Sequence, residues 1–325
     1  MSDAASSLKF GTSGLRGLAV DLEGQAARRY CAAFLRHLEQ SGQAEHKRVY
    51  LGRDFRPSSP VVLNDCAIAI ESAGLEPVDC GTLPTPALAL YAMASGSPSI
   101  MITGSHIPAD RNGLKFYTAA GEISKSDEAG ILACLTPDDL ADRVVAPVDE
   151  AAAAAERYIA RYLDQLPPRA LKGMRIGVFE HSTVARDLLG KIIGHFGAEL
   201  VSLGRIEGFV PVDTEAFSDK VFEPLPNWIR EHELDAVVSA DGDGDRPLLM
   251  DGKATFVRGD TLGLIAARFL GAQTVVTPVT SNSAIEKTGF FRRVIRTRWG
   301  RHMWSLILPG WKMALLVSKP MAAPL

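Results

Sequence analysis

Short apolar runs that end in a glycine or a polar turn alternate with longer stretches of helical periodicity along most of the chain. Residues 49–52 read as a buried strand. Residues 60–73 read as a helix, with Val61, Val62, Ala67, Ile68 and Ile70 at its apolar positions, and residues 99–103 as the next strand, followed by Gly104. This strand–helix–strand rhythm predicts consecutive three-layer α/β domains with mixed, mainly parallel sheets.

At 325 residues the chain exceeds one ordinary domain. Pro147, two acids and five alanines at 151–155 mark a boundary, and the alanines predict a helix joining two domains. The rhythm then restarts. Residues 174–179 form a strand, 183–196 a helix and 199–203 a strand, and 236–239 form a strand that runs into an acidic loop. A third unit begins near Phe256, with a helix over 259–270 and a strand over 273–277. The expected division is 1–150, 151–255 and 256–325, with the third domain incomplete.

Composition excludes several classes. With 46% apolar and 22% charged residues the chain is not disordered. A formal charge of −3 gives no reason to expect nucleic acid or another polyanion. Cys31, Cys66, Cys80 and Cys134 lack CxxC spacing, which argues against a disulfide scaffold or a zinc site. The N-terminus lacks the basic start and apolar stretch of a signal peptide, and no apolar run suits a spanning helix. The expectation is a reduced, cytoplasmic protein away from membranes, and a monomer by default.

The strongest chemical signal is Ser239-Ala-Asp-Gly-Asp-Gly-Asp-Arg246. Asp241, Asp243 and Asp245 repel one another unless a cation sits among them. Alternation places them on one side of an extended loop, and their hard oxygens suit Mg²⁺. An EF-hand loop counted from Asp241 would need Gly and Glu where Arg246 and Gly252 stand. Arg246 adds a donor suited to phosphate beside the carboxylates. The second signal is Thr103-Gly-Ser-His-Ile-Pro108, with Lys115 further on. Ser105 follows a buried strand, where α/β sheets present ligands. By itself it is either a turn serine or a nucleophile, and Ile107 excludes the G-x-S-x-G elbow. A serine hydrolase using Ser105 and His106 would leave the aspartates idle. Two further clusters are Phe10-Gly-Thr-Ser-Gly-Leu-Arg-Gly17, where Arg16 could clamp an anion, and Gly52-Arg-Asp-Phe-Arg56. In the latter, Arg53 and Arg56 could bind an anion, lie on the surface or form an internal ion pair.

In this order the four clusters resemble the α-D-phosphohexomutases, the family of phosphomannomutase and phosphoglucomutase. Its motifs are G-T-S/A-G-x-R-G, G-R-D-x-R, T-A-S-H-N-P and D-G-D-G/A-D-R. The resemblance covers at least residues 8–298. It implies an intramolecular phosphotransferase that moves phosphate between the 1- and 6-positions of a hexose through a phosphoserine and a bisphosphorylated sugar. By position, Ser105 would be the phosphoserine, and Ser105, Asp241, Asp243 and Asp245 would hold Mg²⁺. Lys115 and His106 would assist proton transfer, with Lys115 the better general base or acid. Arg16 and Arg246 would steady the phosphoryl group and the sugar. The partners implied are a hexose phosphate and a hexose bisphosphate, with mannose, glucose and glucosamine left open.

Two positions depart from the motif. Gly104 replaces the family's Ala and is expected to loosen the loop, and Ile107 replaces Asn. Two further family loops, G-E-x-S/N-G-G and R-x-S-G-T-E-P, are not found. After Glu286 the sequence has no acid but eight Lys or Arg, and three tryptophans from Trp299 onward. Codons for 299–306 read one nucleotide out of register can give Val-Gly-Ser-Pro-Tyr-Val-Val-Ala, which continues the family's strand. The expectation is a frameshift after about residue 298 that truncates the family sequence and impairs activity. The alternative is a non-catalytic remnant that binds Mg²⁺ and sugar phosphate.

Overall fold

The computed structural model describes residues 7–11, 14–43, 45–137, 139–217, 220–297 and 314–316. The first sheet contains β1 (Lys9–Phe10), β2 (Leu15–Leu18), β3 (Arg48–Arg53), β4 (Glu76–Thr82), β5 (Ser99–Ile102), β6 (Arg111–Thr118), β7 (Gly121–Glu122) and β8 (Val148–Asp149). Its order is β1-β2-β6-β5-β3-β4-β8, with β7 on β6. The pairings β5–β3, β3–β4 and β4–β8 are parallel, and β1–β2, β2–β6 and β5–β6 are antiparallel. Val49, Tyr50 and Leu51 are all buried, as an apolar run covered on both faces must be.

Helices cover the two faces. Gln25–Gln40 buries Ala27, Cys31, Phe34, Leu35 and Leu38, a stripe at helical spacing. With Ser59–Ser72 it closes the larger core, where the Phe34 and Phe116 rings stand 4.9 Å apart. On the opposite face Tyr50, Val78, Leu83, Leu88 and Met101 pack with Ala154. Ala154 belongs to the helix Ala151–Leu163, which the alanine run predicts.

The second sheet contains β9 (Arg175–Phe179), β10 (Glu199–Leu203), β11 (Ala236–Ala240), β12 (Pro247–Asp251) and β13 (Phe256–Val257), in the order β10-β9-β11-β12-β13. Its first pairs are parallel and its last two antiparallel, so this sheet too is mixed. β13 belongs here, where the sequence reading begins a third unit. The helix expected from residue 183 starts instead at Arg186. The preceding residues stay irregular because they hold the acidic loop: Thr183 Oγ1 donates to the Asp241 carbonyl at 2.7 Å, and Val184 N to the Gly242 carbonyl at 3.1 Å.

The third sheet has β14 (Thr274–Pro278), β15 (Arg293–Thr297) and β16 (Ala314–Leu316), all parallel, beside the helix Gly259–Phe269. Apart from 314–316, the basic segment from 298 onward lies outside the described residues, and with it Trp299, Trp304, Trp311 and the expected change of frame. Among the described residues no helix is long and apolar enough to cross a membrane.

Candidate active site

Two loops at the carboxyl ends of buried strands face each other. One follows β5 and carries Ser105, and the other follows β11 and carries the aspartates. In α/β sheets these strand ends are where ligands bind. Ser105 is buried and has φ +55, an uncommon conformation for a residue with a Cβ. It is held there from several sides. Ser105 N donates to Thr103 Oγ1 at 2.7 Å, and that hydroxyl donates to Asp54 Oδ2 at 2.8 Å. Ser105 Oγ donates to Asp241 Oδ2 at 2.7 Å and receives Arg246 Nη2 at 3.1 Å. The serine loop of the first sheet and the acidic loop of the second therefore share one site.

The carboxylates converge. Asp241, Asp243 and Asp245 each offer an oxygen within 4.8 Å of the other two, with Asp241 and Asp243 buried. Asp243 Oδ2 accepts from Thr85 Oγ1 at 2.6 Å and from Lys115 Nζ at 2.5 Å. Lys115 also donates to Asp245 Oδ2 at 2.7 Å. Asp243 Oδ1 is buried and has no hydrogen-bond partner. An unpartnered carboxylate oxygen is costly, and beside two other carboxylates it is the donor that a hard cation would satisfy. The group could therefore hold a metal ion, with Asp241, Asp243, Asp245 and the Ser105 hydroxyl as its oxygens.

Electrostatics follow from this crowding. Burial raises the Asp241 carboxyl, and Asp245 and Asp243 add to the rise, although Arg246 opposes it. Burial also acts against Asp243 ionisation, but Lys115 and the Thr85 hydroxyl outweigh it and hold that group well below the usual carboxylate range. Lys115 is almost fully buried. Burial alone would lower its ammonium, yet Asp243 and Asp245 hold it well above the ordinary lysine value. In this arrangement Lys115 is a fixed cation, and its proton is not available to a base of ordinary strength.

Arg16, on β2, has its Nε buried without a partner; burial lowers its pKa while Asp243 and Asp245 favour its charge. The turn before it is close-packed: Gly14 has φ +80, and a Cβ there would lie 2.2 Å from the Leu114 carbonyl oxygen. Residues 12 and 13 of this cluster lie outside the described residues. His106 Nδ1 is 3.4 Å from Ser105 Oγ and also meets the Arg246 guanidinium. Ser105 Oγ is given to Asp241 instead, so the pair does not form a hydrolase dyad.

Arg56 takes the internal ion-pair reading and not the anion-binding one. It is buried, and its Nε lies 3.1 Å from Asp54 Oδ2. Its Nη atoms donate to the carbonyls of Ser105, Ile107, Pro108 and Arg111 at 2.6–3.0 Å. Gly104 thus does not loosen the loop. A Cβ there would fall 2.6 Å from the Arg56 guanidinium carbon, so the bare glycine admits the group that fixes the loop. Sequence reasoning missed Thr85, Asp54, Thr103 and Asp213, the last of which accepts from Arg246 Nη1 at 3.2 Å. Asp54 and Thr103 lie in quoted motifs; Thr85 and Asp213 are single polar residues with no distinguishing local pattern.

Comparison with known proteins agrees with this geometry. Residues 7–141 match the model for phosphoglucomutase/phosphomannomutase, alpha/beta/alpha domain I. The chain is 51% identical over 298 residues to a phosphomannomutase of Sinorhizobium fredii, covering 90% of this chain and 63% of that protein. It is 42% identical to a phosphomannomutase of Salmonella muenchen, covering 91% and 61%. It is 31% identical to a phosphoglucosamine mutase of Sphingopyxis alaskensis, covering 93% and 71%. The fold matches that of a phosphoglucomutase/phosphomannomutase family protein from Burkholderia thailandensis, with a TM-score of 0.74 at 20% identity over 94% of this chain and 70% of that one. The chain belongs to the phosphoglucomutase/phosphomannomutase family, the α-D-phosphohexomutases. It spans a little over three fifths of the two phosphomannomutases just named.

Proposed function

We propose that this chain is a phosphomannomutase-type hexose phosphate mutase in which Ser105 carries the phosphoryl group. The observation that carries the reading is the 2.7 Å bond from Ser105 Oγ to Asp241 Oδ2, which joins the nucleophile to the carboxylate group across two sheets. In the forward half-reaction the phosphoserine P–O bond breaks as a sugar hydroxyl oxygen bonds to phosphorus, and the hydroxyl proton leaves. The other O–P bond of the bisphosphorylated sugar then breaks as Ser105 Oγ bonds to that phosphorus, and the freed sugar oxygen takes back the proton given up in the first half-reaction.

Phosphoryl transfer is mainly positioning and charge neutralisation. Three carboxylates here face three cations, Arg16, Lys115 and Arg246, and Asp213 adds a further negative charge on Arg246. A phosphoserine brings about −1.5 to −2 more charge, which calls for a dication. Ser105, Asp241, Asp243 and Asp245 would hold Mg²⁺, which would supply that neutralisation as a Lewis acid. Arg246, already 3.1 Å from Ser105 Oγ, steadies the transferring group, and Arg16 faces the same carboxylates. With a metal on the carboxylates, the charges that hold the Lys115 proton would be withdrawn, so that its amine, once neutral, could take the proton of the sugar hydroxyl, with His106 orienting the group beside Ser105.

The identity of the phosphomannomutase relatives supports mannose phosphate as the substrate. Phosphoryl exchange at Ser105 is the step expected of the residues described. Incubation with a hexose 1,6-bisphosphate and Mg²⁺, followed by mass spectrometry, tests the reading. One phosphate on Ser105, absent with EDTA and in Ser105→Ala, is expected; no phosphate under any condition leaves the non-catalytic remnant.

A further inference from the structure

Two arginine–aromatic contacts cross between the first and second sheets in opposite directions, and consecutive residues of one loop make them. Arg56 places its guanidinium carbon 4.0 Å from the centroid of the Phe209 ring, which belongs to the second unit. Arg186 of the second unit places its own 4.3 Å from the centroid of Phe55. Such contacts are attractive where water is displaced, and a planar guanidinium can stack on a ring while its edge donates hydrogen bonds.

Arg56 is anchored on the serine loop, and Arg186 on segments that pack against the acidic loop. Arg56 donates to four carbonyls of the serine loop. Arg186 Nη1 donates to the His181 and Ile206 carbonyls at 3.0 and 3.2 Å. His181 Nε2 in turn meets the carbonyl of Ala240, the residue before Asp241, at 2.9 Å. Phe209 closes the circuit. A Cβ on Gly242 would lie 3.0 Å from a Phe209 ring carbon and 3.0 Å from the Ser105 carbonyl oxygen. Ring, acidic loop and serine loop therefore meet at one glycine.

We propose that Phe55 and Arg56 with Arg186 and Phe209 form a reciprocal arginine–aromatic clasp that sets the separation of Ser105 from the acidic loop, making the four positioning residues for phosphoryl transfer. None of the four donates to Ser105 Oγ or to a carboxylate of the acidic loop; Arg56 and Arg186 reach the site through backbone carbonyls. The transfer part of this inference rests on the proposed mutase reading, whereas the loop-ordering part does not. A site built on two separately folded sheets needs such a device, because an error of about 1 Å in the reacting geometry can cost about 100-fold in rate.

The test uses the full chain with Phe209→Leu, Phe55→Leu, their double variant and Phe209→Tyr, which keeps a ring over Arg56. Hydrogen exchange is read at the Ser105, Ile107 and Arg111 amides, all bonded within the serine loop. Single-turnover phosphorylation of Ser105 by a hexose bisphosphate is measured beside it. Loss of a ring is expected to speed exchange at these amides about 5- to 10-fold. It is also expected to slow phosphorylation about 10- to 100-fold at saturation, with the half-saturating concentration changed less than about twofold. Phe209→Tyr restores both. Unchanged exchange in the double variant overturns the clasp, as does a tyrosine variant no better than leucine. Normal exchange effects without phosphate on the unmutated chain overturn the mutase reading and leave the clasp standing. Should Phe209→Leu alone lower the melting temperature sharply, the Phe55 and tyrosine variants decide the question.

Discussion

Two buried charged clusters lie on either side of Ser105, and they are built to opposite specifications. Around Arg56 the accounts close: the Asp54 carboxylate accepts from Arg56, Ser59 and Thr103, and the guanidinium meets Asp54 and four carbonyls. Around Asp243 they do not. Three carboxylates crowd together, one oxygen is unpartnered, and Arg16 Nε is buried without an acceptor. A satisfied buried network fixes shape, while an unsatisfied one stores a cost that a ligand can relieve. The contrast separates the part that fixes the serine loop from the part whose unpaired charges a ligand could satisfy.

The largest effect that would break this contrast lies in the first cluster. Arg56→Ala leaves Asp54 as an uncompensated buried charge and is expected to cost about 3–5 kcal/mol in denaturant unfolding. A loss under about 1 kcal/mol would mean that the network does not fix the loop. Next comes Asp243→Asn, which should lower Ser105 phosphorylation about 100- to 1,000-fold while leaving the unfolding midpoint nearly unchanged. If that variant unfolds and Arg56→Ala does not, the two assignments are reversed.

His181 sharpens the comparison through pH. It is fully buried, and burial pushes its pKa down from 6.5 to about 4. The unfolded chain thus takes up a proton at this residue before the folded one does. Stability is complete above about pH 6.5, falls as pH drops below it, and is fully lost from this source below about pH 4, by about 3 kcal/mol. His181→Gln should flatten the slope between pH 6.5 and 4; an unchanged slope would mean that burial of this imidazole does not set the acid limit. The smallest expected effect is metal stabilisation. Mg²⁺ at about 100 times its dissociation constant should stabilise the chain by about 2.7 kcal/mol in thermal unfolding, and Asp243→Asn should abolish the gain.

Much of this was legible in advance because it is written in local pattern. Apolar runs and alanine content place β3, β5, β9, β11 and the helix Ala151–Leu163, and alternating aspartates after a buried strand mark the convergent carboxylates that could hold a metal ion. What escaped depends on contacts between distant segments. Thr85 reaches Asp243 across 158 positions, and nothing around a threonine between two prolines signals it. Phe209 lies in an irregular stretch with no periodicity to mark its face. Arg56 carried a motif but left three readings open, and only the Asp54 carboxylate and the serine-loop carbonyls decide among them. Lys115 was legible as a site residue, yet its locked ammonium is visible only once Asp243 and Asp245 are seen to flank it.

A Mn²⁺ titration followed by electron paramagnetic resonance, on the unmutated chain, Ser105→Ala and Asp243→Asn, reads the shared ion itself. One tightly held ion per chain is expected, bound more weakly when the hydroxyl at 105 is removed and lost when Asp243 is neutralised. Equal binding by all three proteins would contradict the claim that serine and aspartates serve one cation.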